Sequence, residues 1–240
     1  MKRLWTGLWI GLVAVLLTAH VLAAPCTTSA ATCSEWVTPA GGSSGLLVYR
    51  TYSLDARNPA ITSALVMIHG AGRDAHNYFQ HALAGTFLAG ALETTIVVSP
   101  RFASNDGAGC RDTIAPQELE WQCGGPERWT AGGGAVDNTK VTSFDVADEI
   151  VRKLARKDIF PNLRTIGVAG HSAGGQFVSR YEMANQGSDA AGVRQICERE
   201  IQRLAQERHR SFVRPQRQMY VQRQRRIGAA IPETITTKHR

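Results

Sequence analysis

The sequence lacks the residue patterns that usually hold a metal ion. Its 240 residues contain five cysteines and seven histidines, yet no Cys-x-x-Cys pair and no histidine cluster occurs. Structural and catalytic zinc sites are usually built from such closely spaced thiolate and imidazole ligands. We therefore expect neither a metal ion nor another cofactor.

The C-terminal part lacks the apolar runs that form buried strands. Between Gly192 and Arg240 there is no run of four or five valine, isoleucine, leucine or phenylalanine residues. Parallel strands that are covered on both faces read as nearly continuous apolar runs. We therefore expect no strand after about residue 193 and place a boundary there.

The same part of the chain differs from the rest in charge. Residues 194–240 hold 12 basic and 4 acidic side chains, whereas residues 1–193 hold 15 basic and 16 acidic ones. Ten arginines and seven glutamines lie within residues 194–226. This composition favours a poorly ordered tail or a single charged helix over a packed core.

The N-terminal segment is typical of an export signal. Lys2 and Arg3 supply the positive start, residues 4–17 the apolar centre, and Val21-Leu22-Ala23 a cleavage site of mainly small residues. We expect cleavage after Ala23, which leaves the protein secreted or periplasmic. The alternative is an uncleaved anchor, which would be the protein's contact with a membrane.

Four cysteines stand in two local pairs, which export makes available for disulfides. Cys26 and Cys33 are seven residues apart, and Cys110 and Cys123 are thirteen apart. Two local bridges are the natural hypothesis, although four cysteines allow three connectivities. The first pair lies in residues 24–44, which we interpret as a linker or cysteine-containing arm, and Cys197 is left over.

Strands and helices alternate through residues 45–193, which indicates one α/β core. Apolar runs predict strands at 47–52, 64–69, 94–99 and 165–169, and helical spacing predicts helices at 75–88, 143–157 and 175–184. This order specifies a mostly parallel sheet with helices on both sides, a three-layer sandwich. A long loop, residues 101–140, carries Trp121 and Trp129, which either line a substrate pocket or pack the loop onto the body.

Gly170-His171-Ser172-Ala173-Gly174 joins a predicted strand to a predicted helix. A turn this tight strains its central residue and requires small neighbours on both sides. Ser172 would then stand as a nucleophile at the amino end of a helix, where developing negative charge is stabilised. The alternative is a glycine-rich turn that happens to contain serine.

A second motif, His69-Gly70-Ala71-Gly72-Arg73-Asp74, follows the predicted strand 64–69. Such a loop can aim backbone N–H groups at an oxyanion, together with the N–H of the residue after the nucleophile. The predicted donors are Ala173 with Ala71 or Gly72. His69 could be taken for a catalytic base, but its place at a strand end favours support of the loop.

The two motifs, in this order and about 100 residues apart, resemble those of secreted bacterial α/β-hydrolases. The resemblance covers residues 45–190. It implies esterase, lipase or peptidase chemistry through an acyl-serine, with a small ester or acyl compound as the substrate; the fold does not choose among these activities. The family's acid and histidine follow the serine in the chain.

Few residues after Ser172 can supply that acid and base. Asp189 is the only aspartate there, and His209 and His239 are the only histidines. Asp189 and His209 are weak candidates, because no predicted strand places them beside the serine. The resemblance therefore predicts a truncated or frame-shifted hydrolase of weak or no activity, without the family's C-terminal strands.

A non-catalytic basic binding protein is the second hypothesis. In it, the hydrolase-like body is a passive scaffold and the arginine-rich tail binds anions through phosphate contacts. Export argues against nucleic acid as the normal target, so we expect no specific nucleic-acid partner.

Overall fold

The computed structural model describes residues 24–39, 42–107, 109–184 and, for the backbone, 194–197. The predicted export signal, Asp189, His209 and the tail beyond residue 197 lie outside the described residues. Within the described part, no helix is both long and apolar enough to cross a membrane.

A mixed sheet, with six strands among the described residues, forms the centre of the fold. Its strands, in chain order, are β1 (Ser34–Val37), β2 (Leu46–Arg50), β3 (Ser63–Ile68), β4 (Thr95–Pro100), β5 (Thr165–Gly170) and β6 (Arg194–Cys197). They lie side by side in the order β1-β2-β4-β3-β5-β6. The pairs β3–β4, β3–β5 and β5–β6 are parallel, whereas β1–β2 and β2–β4 are antiparallel. The mostly parallel sheet is thus confirmed.

Three α-helices in the described ranges cover the two faces of this sheet. They are α1 (Ala75–Leu88), α2 (Ser143–Ala155) and α3 (Ala173–Ala184). Val97 of β4 packs with Phe79 of α1, whereas its neighbours Ile96 and Val98 belong to the main core that α2 and α3 cover. Because successive side chains of a strand point to opposite faces, α1 lies on one face and the other two helices on the opposite one. The α/β layering follows the prediction.

The start of α2 shows how local sequence fixes these elements. The Thr142 hydroxyl accepts the Asp145 N–H at 3.1 Å, and the Asp145 carboxylate accepts the Thr142 N–H at 2.8 Å. This reciprocal capping box satisfies two backbone donors at the helix start. Thr142 is thus the N-cap residue of α2.

Two short strands fall where none was predicted. β1 lies inside the predicted arm 24–44 and pairs antiparallel with β2. The expectation of no strand after residue 193 is wrong for Arg194–Cys197, which pair in parallel with Thr165–Val168 of β5. Both strands stand at the ends of the described sheet, where main-chain hydrogen bonds to a single neighbour define a strand without a long apolar run.

Both predicted disulfides are formed, and each closes a short loop within one segment of the chain. The Cα atoms are 5.5 Å apart in Cys26–Cys33 and 6.3 Å apart in Cys110–Cys123. Disulfides are typical of an oxidising compartment outside the cytosol. Of the two interpretations of the tryptophans, packing is correct, because Trp121 and Trp129 are almost fully buried and the Trp129 ring stacks on Phe102 at 5.2 Å.

Candidate active site

Ser172 lies on the turn between β5 and α3 with a strained backbone. Its φ is +58°, and its side chain is exposed. A left-handed conformation costs a residue with a Cβ about 1–2 kcal/mol, so it persists only where the surrounding structure imposes it. The strain and the exposure are both what the sequence predicted for this position.

Two glycines make this turn possible. A Cβ on Gly170 would come within 2.5 Å of the Gly174 carbonyl carbon. A Cβ on Gly174 would come within 2.5 Å of the His69 carbonyl oxygen and closer still to that of Ile68. The second contact shows that the serine turn packs directly on the end of β3, so the two sequence motifs meet in space.

The loop that follows β3 lies beside the serine turn. Strands β3 and β5 are parallel neighbours in which Ile68 pairs with Gly170. Beyond that pair, the Cβ position of Gly70 is 3.7 Å from the His171 carbonyl oxygen. The carboxyl ends of adjacent parallel strands are where open α/β sheets bind their ligands.

His69 supports this loop from inside the protein. It is fully buried, with Nδ1 2.8 Å from the Gly70 carbonyl oxygen, and its Nε2 accepts the Phe102 N–H at 2.9 Å. Because Nε2 accepts, Nδ1 carries the proton of a neutral ring. Burial lowers the pKa of His69 to about 4, which keeps it neutral at ordinary pH. With both nitrogens engaged, His69 cannot serve as the base for Ser172, and support of the loop is confirmed.

Hydrogen bonds fix the peptide planes of residues 70–72. The Gly70 carbonyl accepts from His69 and from the Arg73 N–H at 3.1 Å, and the Ala71 carbonyl accepts from Arg73 Nη1 at 2.6 Å. In a trans peptide the carbonyl and the following N–H point in opposite directions. The N–H groups of Ala71 and Gly72 therefore point away from the His69 and Arg73 groups that bind these carbonyls. Both Ala71 and Gly72 are exposed. Ala173 is the first residue of α3, and a helix does not use its first N–H groups.

Sequence reasoning missed one side chain at this place, that of Tyr78. The Tyr78 hydroxyl, on the first turns of α1, lies 3.3 Å from Nδ1 of His171, the residue before the serine. A Cβ on Gly70 would come within 2.7 Å of the same hydroxyl. Tyr78 thus contacts both motifs. No local signal marks it, because 93 positions separate it from His171.

One group of described side chains is close enough to share a metal ion. It consists of Asp106, Cys110 and Cys123, whose candidate ligand atoms lie within 4.8 Å of one another. Because the two cysteines are joined in a disulfide, neither offers a thiolate ligand. The group therefore does not fit a metal ion in the oxidised protein.

Among the described residues, no hydrogen bond joins the Ser172 hydroxyl to a histidine that could act as its base. Of the histidines with hydrogen bonds there, His69 bonds to Gly70 and Phe102, and His171 bonds to Tyr78. Asp189 and His209, the weak candidates for acid and base, lie outside the described residues.

No family model and no curated protein sequence matches the chain. Among solved structures it is similar to poly(aspartic acid) hydrolase-1 from Sphingomonas sp. KT-1, with 23% identity and a TM-score of 0.41 over 62% of this chain and 49% of that one. It is similar to the carboxylesterase EstE1, cloned from a metagenomic library, with 16% identity and a TM-score of 0.39 over 68% of this chain and 45% of that one. It is also similar to the siderophore hydrolase EstB from Aspergillus nidulans, with 16% identity and a TM-score of 0.35 over 67% of this chain and 54% of that one. The chain spans about half the length of these structures.

Proposed function

We propose that this protein is an exported serine hydrolase of the α/β-hydrolase type, which cleaves small carboxylic esters through an acyl-serine. The observation that supports this most is Ser172 itself. It is a non-glycine residue at φ +58°, exposed, on a turn from a parallel strand into a helix. That fold uses such a turn to raise its nucleophile above the sheet.

In the proposed reaction the Ser172 Oγ attacks the ester carbonyl carbon and gives up its proton to a base. The carbonyl electron pair moves onto oxygen, where the N–H of Ala173 and that of Ala71 or Gly72 stabilise the negative charge. Collapse of this intermediate re-forms the carbonyl and breaks the bond to the alcohol oxygen, which takes the proton from the base and leaves an acyl-serine. Water then releases the acid and restores the serine.

We propose that this activity is weak. His69 is engaged at both nitrogens, and the remaining candidates for base and acid are His209 and Asp189. A serine hydrolase without an effective base keeps only the catalysis that comes from binding and from the oxyanion donors, about 10³–10⁴-fold over water.

Labelling with a fluorophosphonate tests the proposed nucleophile. We expect slow covalent labelling of the full chain and no labelling of Ser172→Ala. Ser179→Ala, about two turns further along α3, is the matched control that keeps labelling. His209→Gln and Asp189→Asn should slow labelling only if these residues act as base and acid. Equal labelling of the full chain and Ser172→Ala would show that Ser172 is not an activated nucleophile.

Export is proposed from two features together. The Lys2-Arg3 start with its apolar segment precedes residue 24, and the two disulfides require oxidising conditions. Sequencing the amino terminus of the protein from a periplasmic or culture fraction should give Ala24 as the first residue. A mature chain that begins at Met1 would favour the uncleaved anchor.

A second candidate function, polyanion binding, is favoured by the uneven charge. Residues 194–240 carry 12 basic and 4 acidic side chains. We expect retention on heparin to fall when Arg223, Arg225 and Arg226 are changed to glutamine, with the slope against salt reduced accordingly. Unchanged retention on heparin in these variants would contradict polyanion binding by the tail.

A further inference from the structure

An ion pair joins the loop after β3 to the disulfide-closed segment 110–123. Arg73 Nε lies 2.6 Å from Asp112 Oδ2, and Arg73 Nη2 lies 3.2 Å from Asp112 Oδ1. The guanidinium therefore holds the carboxylate through two parallel hydrogen bonds, the most directional form of ion pair. The side chains are only 12% and 18% exposed, so salt screens the pair little.

The remaining nitrogen of the same guanidinium holds the loop. Arg73 Nη1 donates to the Ala71 carbonyl at 2.6 Å, which sets the plane of the Ala71–Gly72 peptide. Arg73 has a left-handed backbone, with φ +54°. A residue with a long side chain stays in this region only when other contacts outweigh the strain, and its ion pair with Asp112 is such a contact.

Asp112 is itself anchored. Its Oδ2 accepts the Ser104 N–H at 2.8 Å, and its own N–H donates to the Ser104 carbonyl at 2.9 Å. It stands two residues after Cys110, whose disulfide to Cys123 closes this segment. Burial would raise the pKa of Asp112, but the hydrogen bonds from Arg73 and Ser104 together lower it below its usual value. Asp112 is therefore an ionised carboxylate in a fixed place.

We propose that Asp112 is a positioning residue, which acts through Arg73 to fix the loop of residues 70–73 so that the N–H groups of Ala71 and Gly72 are held toward the oxyanion. The catalytic consequence rests on the proposed function. The fixing of the loop does not, so the two parts are measured separately.

The chain offers a matched control in the ion pair of Arg50 and Glu35. Arg50 Nε lies 2.8 Å from Glu35 Oε2, and the side chains are 15% and 18% exposed. Glu35 also accepts a backbone N–H, that of Leu54 at 3.2 Å, and the pair stands beside the other disulfide, Cys26–Cys33. This pair joins β1 to β2 rather than holding the loop after β3.

The experiment compares Asp112→Asn with Glu35→Gln in the full chain. Backbone 15N order parameters of residues 70–73 report loop order without any need for activity. We expect them to fall from about 0.85 to below about 0.6 in Asp112→Asn and to stay unchanged in Glu35→Gln. Fluorophosphonate labelling of Ser172 should slow at least about tenfold in Asp112→Asn only, because the oxyanion donors are no longer held in position. Asp112→Glu should restore part of both.

A second variant covers the case in which Asp112→Asn does not fold. Arg73→Lys keeps the charge but loses the paired geometry and the bond to Ala71, so it should loosen the loop as well. Unchanged order parameters in the folded variants would overturn the positioning role. If the unaltered chain labels no more than Ser172→Ala, the proposed function fails, and the order parameters still decide whether Asp112 fixes the loop.

Discussion

The hydroxyl of Tyr78 occupies the space that a side chain on Gly70 would need, 2.7 Å from the Cβ position. Gly70→Ala should therefore destabilise the protein by about 1–3 kcal/mol, because the tyrosine must move. In Tyr78→Phe the nearest atom becomes the ring carbon at 3.6 Å, an ordinary contact. We expect Gly70→Ala to cost at least about 1 kcal/mol less in that background, as measured by urea unfolding in a double-mutant cycle. Equal costs in both backgrounds would show that the two residues do not interact.

Gly174→Ala should strongly destabilise the protein. The added methyl group would collide with the carbonyl oxygens of Ile68 and His69, which are backbone and cannot turn aside. We expect a loss of about 3 kcal/mol or more in stability, or no folded protein. Gly85→Ala is the control, since nothing lies within 4 Å of its Cβ position in α1. There the same change should stabilise by about 0.4–1 kcal/mol.

Ser172→Gly should give a more stable protein than Ser172→Ala. Alanine keeps the Cβ that is strained at φ +58°, whereas glycine adopts this conformation freely. We expect a difference of about 1 kcal/mol in the free energy of unfolding. Neither variant should label with fluorophosphonate. A serine-to-glycine change that is no better than alanine would contradict the strained turn.

His69 should make stability depend on pH. Its pKa is about 4 in the folded protein, against 6.5 for an unperturbed histidine. Between these values the unfolded chain binds more protons, so stability rises with pH across this window and is complete above about 6.5. The full difference corresponds to about 3 kcal/mol.

Urea unfolding at several pH values between 4 and 7 measures this dependence. The His69→Gln variant, which has no titrating ring, should lose the part of the slope that belongs to His69. Identical slopes in both proteins would assign the pH dependence to other groups.

Local chemistry explains which features the sequence predicts well. The strained serine, the close approach of Gly170 to Gly174 and the short cysteine spacings all depend on residues within about a dozen positions. Their geometry follows from sterics and from hydrogen bonds to nearby backbone.

Features that depend on distant parts of the chain were not predictable in this way. Arg73 and Asp112 are 39 positions apart, and their pairing exists only because the fold brings the loop after β3 to the disulfide-closed segment 110–123. Strands β1 and β6, at the ends of the described sheet, are defined by hydrogen bonds to the main chain of one neighbouring strand. Such pairing leaves no pattern in their own residues. The burial of Trp121 and Trp129, likewise, required the packed structure to decide.

The contact between His69 and Trp129 has a use of its own. The two rings lie with centroids 4.8 Å apart in the core beneath the serine turn. A protonated imidazole at that distance quenches indole emission, whereas the neutral ring does so weakly. The fluorescence of Trp129 at acidic pH should therefore report the protonation of His69, in protein that carries no label.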